Sequence, residues 1–272
     1  SDRIFDLLSR KRQIINSPNA KAPKNIKCHI QFQDVEFSYD SKVELFKKIN
    51  FDIPFGSSVG IVGDTGSGKT TVAKLLLRLY DINKGNIFLG GHNIKELDVN
   101  HLRKKIGIVS QEPFLFNASI RDNICYGSDD GDTNNIEQAA KKSQAWEFIV
   151  KLPDGLNTII GERGQNLSGG QRQRIAIART LMREPDVIIF DEATSSVDNR
   201  TEQLIQHALF TISRGRTSII IAHRLSTIRN CDNILLIKNG KIVEQGNHRT
   251  LSEKEDSLYS TLWAIQTGKS IL

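Results

Sequence analysis

A glycine-rich loop, GDTGSGKT at residues 63–70, constrains the fold of this chain more than any other feature of its sequence. The apolar run 58–62 before it is typical of a buried strand, and four apolar residues follow it at helical spacing: Val72, Leu75, Leu76 and Leu79. Glycines let successive backbone N–H groups point at one phosphate chain, while Lys69 adds a positive charge and Thr70 a hydroxyl for Mg²⁺. A helix beginning at about Gly68 directs its positive end to the same phosphates. This order of elements predicts ATP binding and hydrolysis, with a glycine-rich turn bearing a surface lysine as the weaker alternative.

A second apolar run, Val187–Phe190, ends in two adjacent carboxylates, Asp191 and Glu192. We expect this strand to lie beside the strand that precedes the glycine loop, so that both acids reach the bound phosphates. Asp191 suits Mg²⁺ through a water molecule, and Glu192 suits a general base that orients the attacking water. Many strands end in acidic loops, so this pattern indicates the chemistry only in combination with the glycine loop.

Other strand patterns predict an α/β fold. Two further β-branched runs, 218–221 and 234–237, fit buried parallel strands separated by helical segments. Residues 30–39 alternate with the period of a strand, and the phase slips at Gln33-Asp34. This slip predicts either a bulge or a break between two strands.

Helical patterns lie in the middle and at both ends of the chain. Within a helix-rich stretch at about 112–180, one helix is marked by Ile136, Ala139, Ala140 and Ile149. A terminal helix is expected at Leu258–Ile265. Residues 1–12 resemble the end of an amphipathic helix, whose apolar face is formed by Ile4, Phe5, Leu7 and Leu8. Residues 16–25 contain two prolines and are expected to form an extended linker, so that the folded domain spans 26–272.

Composition narrows the class of protein. The 272 residues are 38% hydrophobic and 25% charged, with no apolar run long enough for a membrane helix and no signal segment. Ser1 in place of Met indicates a chain cut from something longer. The net charge of +6 comes from dispersed basic residues, which favours a solvated face near anionic phospholipid over a nucleic-acid surface. Cys28, Cys125 and Cys231 have no metal-ligand spacing and are expected to be reduced thiols in the cytosol.

A second glycine-rich element, Leu167-Ser168-Gly169-Gly170-Gln171, opens a helix. Ser168 is a favourable N-cap, and the two glycines leave backbone N–H groups exposed, as in an anion-binding helix start. From the residues alone, a plain capped helix remains the favoured interpretation.

Four motifs join the glycine loop in a resemblance to the nucleotide-binding domain of an ABC transporter: Gln111, Leu167–Gln171, Asp191-Glu192 and His223. Leu-Ser-Gly-Gly-Gln is the signature of that family, and the resemblance extends from about residue 30 to residue 265. It implies a P-loop NTPase fold with a mixed, RecA-like sheet core and an antiparallel β-subdomain. An inserted helical subdomain, about 112–180, carries the signature. The implied ligands are ATP and Mg²⁺.

The resemblance also implies roles for residues outside the glycine loop. Tyr39 matches an aromatic residue that stacks on adenine, although a core tyrosine at a strand end is a serious alternative. Gln111 matches a glutamine that reaches Mg²⁺ and the attacking water, while its loop contacts the membrane domain. His223 matches a histidine that holds the γ-phosphate, with a structural histidine as the alternative. Residues 195–198 match a loop that crosses to a partner subunit.

The expected site therefore has three groups of residues. Catalysis is assigned to Lys69, Gln111, Glu192 and His223. Mg²⁺ is assigned to Thr70, Gln111 and Asp191. Contact with the nucleotide is assigned to Tyr39, Gly63, Asp64, Thr65, Gly66, Ser67, Gly68, Lys69, Thr70, Thr71, Ser168, Gly169, Gly170 and Gln171.

The signature has a geometric consequence in this family, because it does not close on the glycine loop of its own chain. Two domains pack head to tail, so that Ser168 and Gly170 of one meet the γ-phosphate held by Lys69 of the other. The implied partners are a second nucleotide-binding domain, identical or different, and the transmembrane domain of the same transporter. Residues 1–25 would then link the domain to that membrane part, and the chain would act at the cytosolic face of a membrane.

Three stretches resemble the exporter type, in its multidrug-resistance and heavy-metal half-transporter branch: 102–107, 120–124 and 161–164. Residues 3–8 resemble the helical tail that descends from the last transmembrane helix of such exporters. Asp64 and Gly90-Gly91 are mild departures from the usual pattern. The rival classes are a soluble ABC ATPase of DNA repair or translation, a detached importer subunit and, outside the family, a P-loop kinase. The chain shows no long coiled coil or second domain, which the first class would carry, and a kinase has no reason to carry the signature.

Overall fold

The computed structural model describes residues 9, 14–40, 43–128, 131–193 and 199–268. The amphipathic helix predicted within residues 1–12 lies almost wholly outside these residues, and the predicted crossing loop 195–198 lies entirely outside them. Among the described residues, no helix has both the length and the hydropathy that crossing a bilayer requires.

In the described residues three strands come first, a run of four α-helices occupies the middle, and strands and helices mostly alternate after it. The strands are β1 (Ile30–Phe37), β2 (Phe46–Ile53), β3 (Ser58–Gly63), β4 (Lys84–Leu89), β5 (His92–Asn93), β6 (Ile106–Val109), β7 (Val187–Asp191), β8 (Thr217–Ile221), β9 (Asn233–Lys238) and β10 (Lys241–Gly246). The helices are α1 (Lys69–Leu76), α2 (Val99–Lys105), α3 (Ile120–Cys125), α4 (Thr133–Lys142), α5 (Trp146–Ile149), α6 (Gly169–Met182), α7 (Asn199–Ser213), α8 (Leu225–Ile228), α9 (His248–Ser252) and α10 (Leu258–Thr267).

The central sheet has six strands in the order β10-β9-β3-β8-β7-β6. Strands β9, β3, β8, β7 and β6 pair in parallel, and β10 adds an antiparallel edge, so the sheet is mixed as predicted. The expectation that β7 lies beside β3 is wrong, because β8 pairs with both and separates them. The carboxyl end of β8 therefore lies between the glycine loop and the two carboxylates.

Both faces of the central sheet are buried, which explains why its strands are continuous apolar runs. In β8, Ile219 and Ile221 pack into the core shared with the antiparallel sheet. Ile220, which points the other way, packs with Ala222 into the core shared with α6 and α7. Each such isoleucine stabilises the fold by about 1.5–3 kcal/mol through its burial.

The second sheet is antiparallel, with the order β2-β1-β4-β5. The phase slip predicted at Gln33-Asp34 is a bulge within one strand and not a break, because β1 stays paired to β2 on both sides of it. Asp34 there has a positive φ of 47°, and its backbone N–H donates to Oδ1 of Asn50 at 2.8 Å. The bulge restores the inward direction of Val35 after two exposed residues.

Two predicted helices differ from those of the structure: one is divided in two, and the other is shorter. The single helix expected from Ile136 to Ile149 is two helices, α4 and α5, because Gln144 between them has a positive φ of 60°. Leu79 lies beyond α1 and is exposed, so only three of the four apolar residues after the glycine loop face the core. The terminal helix is confirmed as α10.

The predicted linker packs along the domain. Backbone hydrogen bonds join Lys21 to Glu96 and to Asp98, each at 2.8 Å. The side chain of Asn16 binds Asp98 and the backbone N–H of Val99. The segment therefore has a fixed path beside α2.

The tight turn between β9 and β10 contacts β2 of the other sheet. This contact predicts the effect of a substitution on the stability of the fold. Gly240 has φ 75°, its carbonyl accepts from the backbone N–H of Lys47 in β2, and an added Cβ would lie 2.4 Å from the carbonyl oxygen of Leu45. Gly240→Ala is expected to lower the free energy of unfolding by about 2–5 kcal/mol in urea titrations, through left-handed strain plus the clash. Gly215→Ala is the control, because Gly215 has φ 74° but open space around it, and about 1–2 kcal/mol is expected there. Equal losses in the two variants would show that the contact with β2 does not matter.

Candidate functional site

The glycine loop connects the carboxyl end of β3 to the first turn of α1. Gly68 is the residue before this helix, and its φ of 102° strongly favours glycine. A Cβ at Gly68 would lie 2.3 Å from Cε1 of Phe46. No side chain caps the helix there, so its first N–H groups stay available to an anion.

Lys69 folds back over the loop. Its Nζ donates to the carbonyl oxygens of Gly63 at 2.9 Å and Asp64 at 3.0 Å, and the residue is only 5% exposed. Burial lowers the pKa of the Lys69 ammonium, and the nearby carboxylates of Glu192, Asp191 and Asp64 oppose that shift. A desolvated ammonium held by two carbonyls gains from a phosphate oxygen that replaces them.

A hydrogen bond between Thr70 and Asp191 joins the end of the glycine loop to the carboxylates that follow β7. Oγ1 of Thr70 donates to Oδ1 of Asp191 at 3.0 Å, although the two residues are 121 positions apart. Burial raises the pKa of the Asp191 carboxyl, and the Thr70 hydrogen bond partly offsets this. Within the described ranges, no three His, Cys, Asp or Glu side chains are grouped so that they could hold a metal ion. A hydroxyl beside one carboxylate fits Mg²⁺, which takes few protein ligands and completes its shell with phosphate and water.

Glu192 and His223 are in contact at the ends of β7 and β8. Nε2 of His223 lies 2.6 Å from Oε1 of Glu192, and the Glu192 side chain is 13% exposed while that of His223 is 44% exposed. Glu192 has a positive φ of 53°, and its backbone N–H donates to the carbonyl of Ile221 at 2.9 Å. The hydrogen bond to Ile221 holds the backbone of Glu192, and the contact with His223 holds its carboxylate.

Tyr39 lies at the rim of the same cavity and is not a core residue, since it is 49% exposed. Its hydroxyl is 2.9 Å from Oγ1 of Thr71, and its ring meets Phe37 and Tyr80 edge-on with centroids 4.9 Å apart. One face of the ring is approached by Nζ of Lys74 at 5.5 Å from the centroid. A half-exposed, fixed ring is suited to stacking on a planar ligand.

Most of the residues described above line one cavity of about 470 Å³. Its lining is Tyr39, Leu45, Thr65, Gly66, Gly68, Lys69, Thr70, Thr71, Lys74, Glu192 and His223. The sequence did not identify Leu45 and Lys74. Lys74 lies four residues after Thr70 on α1, a spacing that places both on one helix face, whereas Leu45 carries no sequence signal.

The signature does not line this cavity. Ser168 caps α6 as predicted, accepting from the backbone N–H of Gln171 at 3.2 Å, while Oε1 of Gln171 accepts from the N–H of Ser168 at 2.8 Å. Gln111 also lies elsewhere, in a neighbouring cavity of about 620 Å³ together with Gly169 and Ala193. One chain therefore brings together Lys69, Thr70, Asp191, Glu192 and His223, but not Gln111 or the signature.

Comparison with known proteins places this geometry in a family. A family model described as ABC transporter matches residues 46–195. The chain is 43% identical to ABC transporter B family member 14 of Arabidopsis thaliana and 44% identical to ATP-binding cassette sub-family B member 5 of Homo sapiens. These alignments cover 97% and 98% of the chain but only 21% and 22% of the relatives, so the chain spans about a fifth of their length.

A solved structure gives the same result for the fold. The chain superposes on a bacterial Atm1-family ABC exporter, determined with ATP bound, with a TM-score of 0.92 and 42% sequence identity. The match covers 98% of this chain and 47% of the exporter chain. The mixed sheet, the antiparallel sheet and the helices between them are thus those of the exporter.

Proposed function

The chain belongs to the ABC transporter family, and on that basis we propose that it binds ATP with Mg²⁺ and hydrolyses it to drive transport by an exporter. The observation that carries the proposal is the convergence of Lys69, the Thr70–Asp191 pair and the Glu192–His223 pair on one cavity region. The names of the relatives favour an exporter over an ATPase of DNA repair or translation and over an importer subunit.

ATP is proposed to lie along the cavity from Tyr39 to His223. The adenine stacks on the exposed face of the Tyr39 ring, and the phosphates lie on the N–H groups of residues 63–71. Lys69 exchanges its two carbonyl partners for phosphate oxygens, which are better acceptors because they are charged. Thr70 and Asp191 would hold Mg²⁺, with Gln111 of the neighbouring cavity as the third proposed ligand, and the ion would neutralise charge on the phosphates.

Hydrolysis is proposed to occur by in-line attack of water on the γ-phosphate. Glu192 accepts a hydrogen bond from the attacking water and takes its proton as the water oxygen bonds to the γ-phosphorus, while the bond from the γ-phosphorus to the β–γ bridging oxygen breaks and ADP leaves with that oxygen. His223 orients the Glu192 carboxylate through the 2.6 Å contact between its Nε2 and Oε1 of Glu192, and through it the attacking water. Lys69 meets the charge that develops on the transferred group.

A second nucleotide-binding domain is proposed to complete the site. At the first turn of α6, Ser168 is exposed and fixed by its capping box, Gly169 is partly exposed and Gly170 is buried, and none of the three lines the Lys69 cavity. In a head-to-tail dimer this turn lies over the γ-phosphate of the other chain and supplies the charge stabilisation that one chain lacks. The remaining proposed partner is the transmembrane domain of the same transporter, at the cytosolic face of a membrane.

The site shared between two chains predicts how specific ATPase activity depends on protein concentration. Specific ATPase activity of the purified chain is expected to rise with protein concentration and then to level off, because only dimers contain complete sites. Steady-state rates should be measured from well below to well above the dimerisation range found by light scattering. A flat profile with measurable activity from a demonstrably monomeric sample would contradict the shared site.

A further inference from the structure

The last helix, α10, contacts the segment that carries His223. Oε1 of Gln266 accepts from the backbone N–H of Leu225 at 2.8 Å, and Nε2 of Gln266 donates to the backbone carbonyl of His223 at 2.8 Å. One amide side chain thus forms hydrogen bonds with the main chain on both sides of Arg224, similar to those that a neighbouring β-strand forms. The two partners are 41 and 43 positions away in the sequence.

The backbone N–H of Leu225 requires a hydrogen-bond acceptor from outside its own helix. Leu225 is the first residue of α8, and the residue before it, Arg224, makes no side-chain capping hydrogen bond. The N–H groups of a first helical turn have no partner within the helix, so Gln266 supplies an acceptor that the local sequence does not. The Arg224 side chain is tied to Glu202 of α7, which holds the same segment from the other side.

The helix that carries Gln266 is itself firmly anchored. The Glu244 carboxylate accepts hydrogen bonds from the backbone N–H groups of Leu258 and Tyr259, at 2.8 Å and 3.0 Å, and from the Ser257 hydroxyl at 2.9 Å. Tyr259 is fully buried, and its hydroxyl lies 2.9 Å from Nδ1 of His248. Gln266 therefore extends from a fixed support, although its own side chain is exposed.

We propose that Gln266 is a positioning residue for ATP hydrolysis, which acts through the backbone of His223 on the His223–Glu192 pair. The inference rests on the proposed function of that pair. Nε2 of His223 and Oε1 of Glu192 are 2.6 Å apart, and a shift of about 1 Å in the His223 backbone lengthens this contact beyond a good hydrogen bond. Gln266 does not line the cavity that would hold the nucleotide, so it acts on the rate of hydrolysis and not on ATP affinity.

The test is Gln266→Met, which keeps the shape of the side chain and removes both hydrogen bonds. The value of kcat is expected to fall about three- to tenfold, the range that hydrogen bonds at a partly exposed position support. ATP affinity by calorimetry should stay within about twofold of the parent chain, and the melting temperature should fall by only about 2–4 °C, the effect of roughly one lost hydrogen bond in a domain of this size. Ile265→Ala is the matched control on the same helix, 65% exposed, and is expected to leave kcat and affinity unchanged.

A second comparison separates positioning from general stabilisation. In a His223→Ala background, Gln266→Met is expected to change the residual rate by less than about twofold, because residues that act as a unit are not additive. A further three- to tenfold loss in that background would overturn the proposal, as would an unchanged kcat for Gln266→Met in an active parent chain. A loss of kcat that Ile265→Ala shares, with a lower melting temperature, would also overturn it. A parent chain that hydrolyses no ATP at any concentration would refute the proposed function itself, which distinguishes the two failures.

Discussion

Glu192→Gln is expected to lower the ATP hydrolysis rate by about 10²–10⁴-fold and to leave ATP binding intact, because an amide cannot take the proton of the attacking water. Glutamine has the same shape as glutamate and can still accept from Nε2 of His223, so the contact that is 2.6 Å in the structure is retained. The nucleotide stays uncleaved between two chains, and the dimer accumulates. Steady-state hydrolysis and light scattering in saturating ATP and Mg²⁺ measure the two effects.

Glu184→Gln provides the control for this substitution. Glu184 is an exposed carboxylate that also has a positive φ, 45° against 53° for Glu192, so it matches the backbone conformation but lies outside the Lys69 cavity. Hydrolysis by this variant is expected to be unchanged. If Glu192→Gln remains monomeric in saturating ATP, the shared site is wrong, and if it turns over at the parent rate, Glu192 is not the base.

Lys69→Ala is expected to weaken ATP binding by about 30- to 1,000-fold, the effect of removing one partner from a desolvated pair of charges. Lys69 is 5% exposed, and its ammonium is already held over the phosphate loop by the carbonyls of Gly63 and Asp64. Little conformational entropy is therefore lost when the nucleotide binds, and most of the charge interaction contributes to affinity. Isothermal titration calorimetry with ATP and Mg²⁺ measures the change.

Lys74→Ala provides the comparison within the same helix. Lys74 lines the same cavity, but it is partly exposed and lies beside the Tyr39 ring, 5.5 Å from its centroid. A loss of no more than about fivefold is expected, as for a cation–π contact at an exposed site. Unchanged affinity in Lys69→Ala, or equal losses in the two variants, would refute the role given to Lys69.

Much of the fold followed from local patterns. The buried strands β3, β7, β8 and β9 were predicted from continuous apolar runs, since a sheet covered on both faces requires them. The bulge in β1 was visible as a phase slip at Gln33-Asp34. The order of strands was not visible, because hydrophobic periodicity records which faces are buried and not which strand is the neighbour. The assumption that β7 lies beside β3 failed for this reason.

The glycine loop and the Asp191-Glu192 pair were predicted from the sequence because the chemistry of phosphate binding restricts residue type and local spacing, whereas His223 was predicted from the resemblance to the family. Their meeting was decided by the tertiary structure, in which β8 lies between β3 and β7 and places the end of one parallel strand beside those of the other two. The positions of Gln266 and Leu45 could not be predicted from the sequence. Each lies near residues that are distant along the chain and that come close to it only in the folded protein. The sequence determined which residue types are present for the proposed binding and cleavage of a phosphate. Packing of the sheet and of α10 decided which of them touch, because contact depends on distance in space and a local motif specifies distance only along the chain.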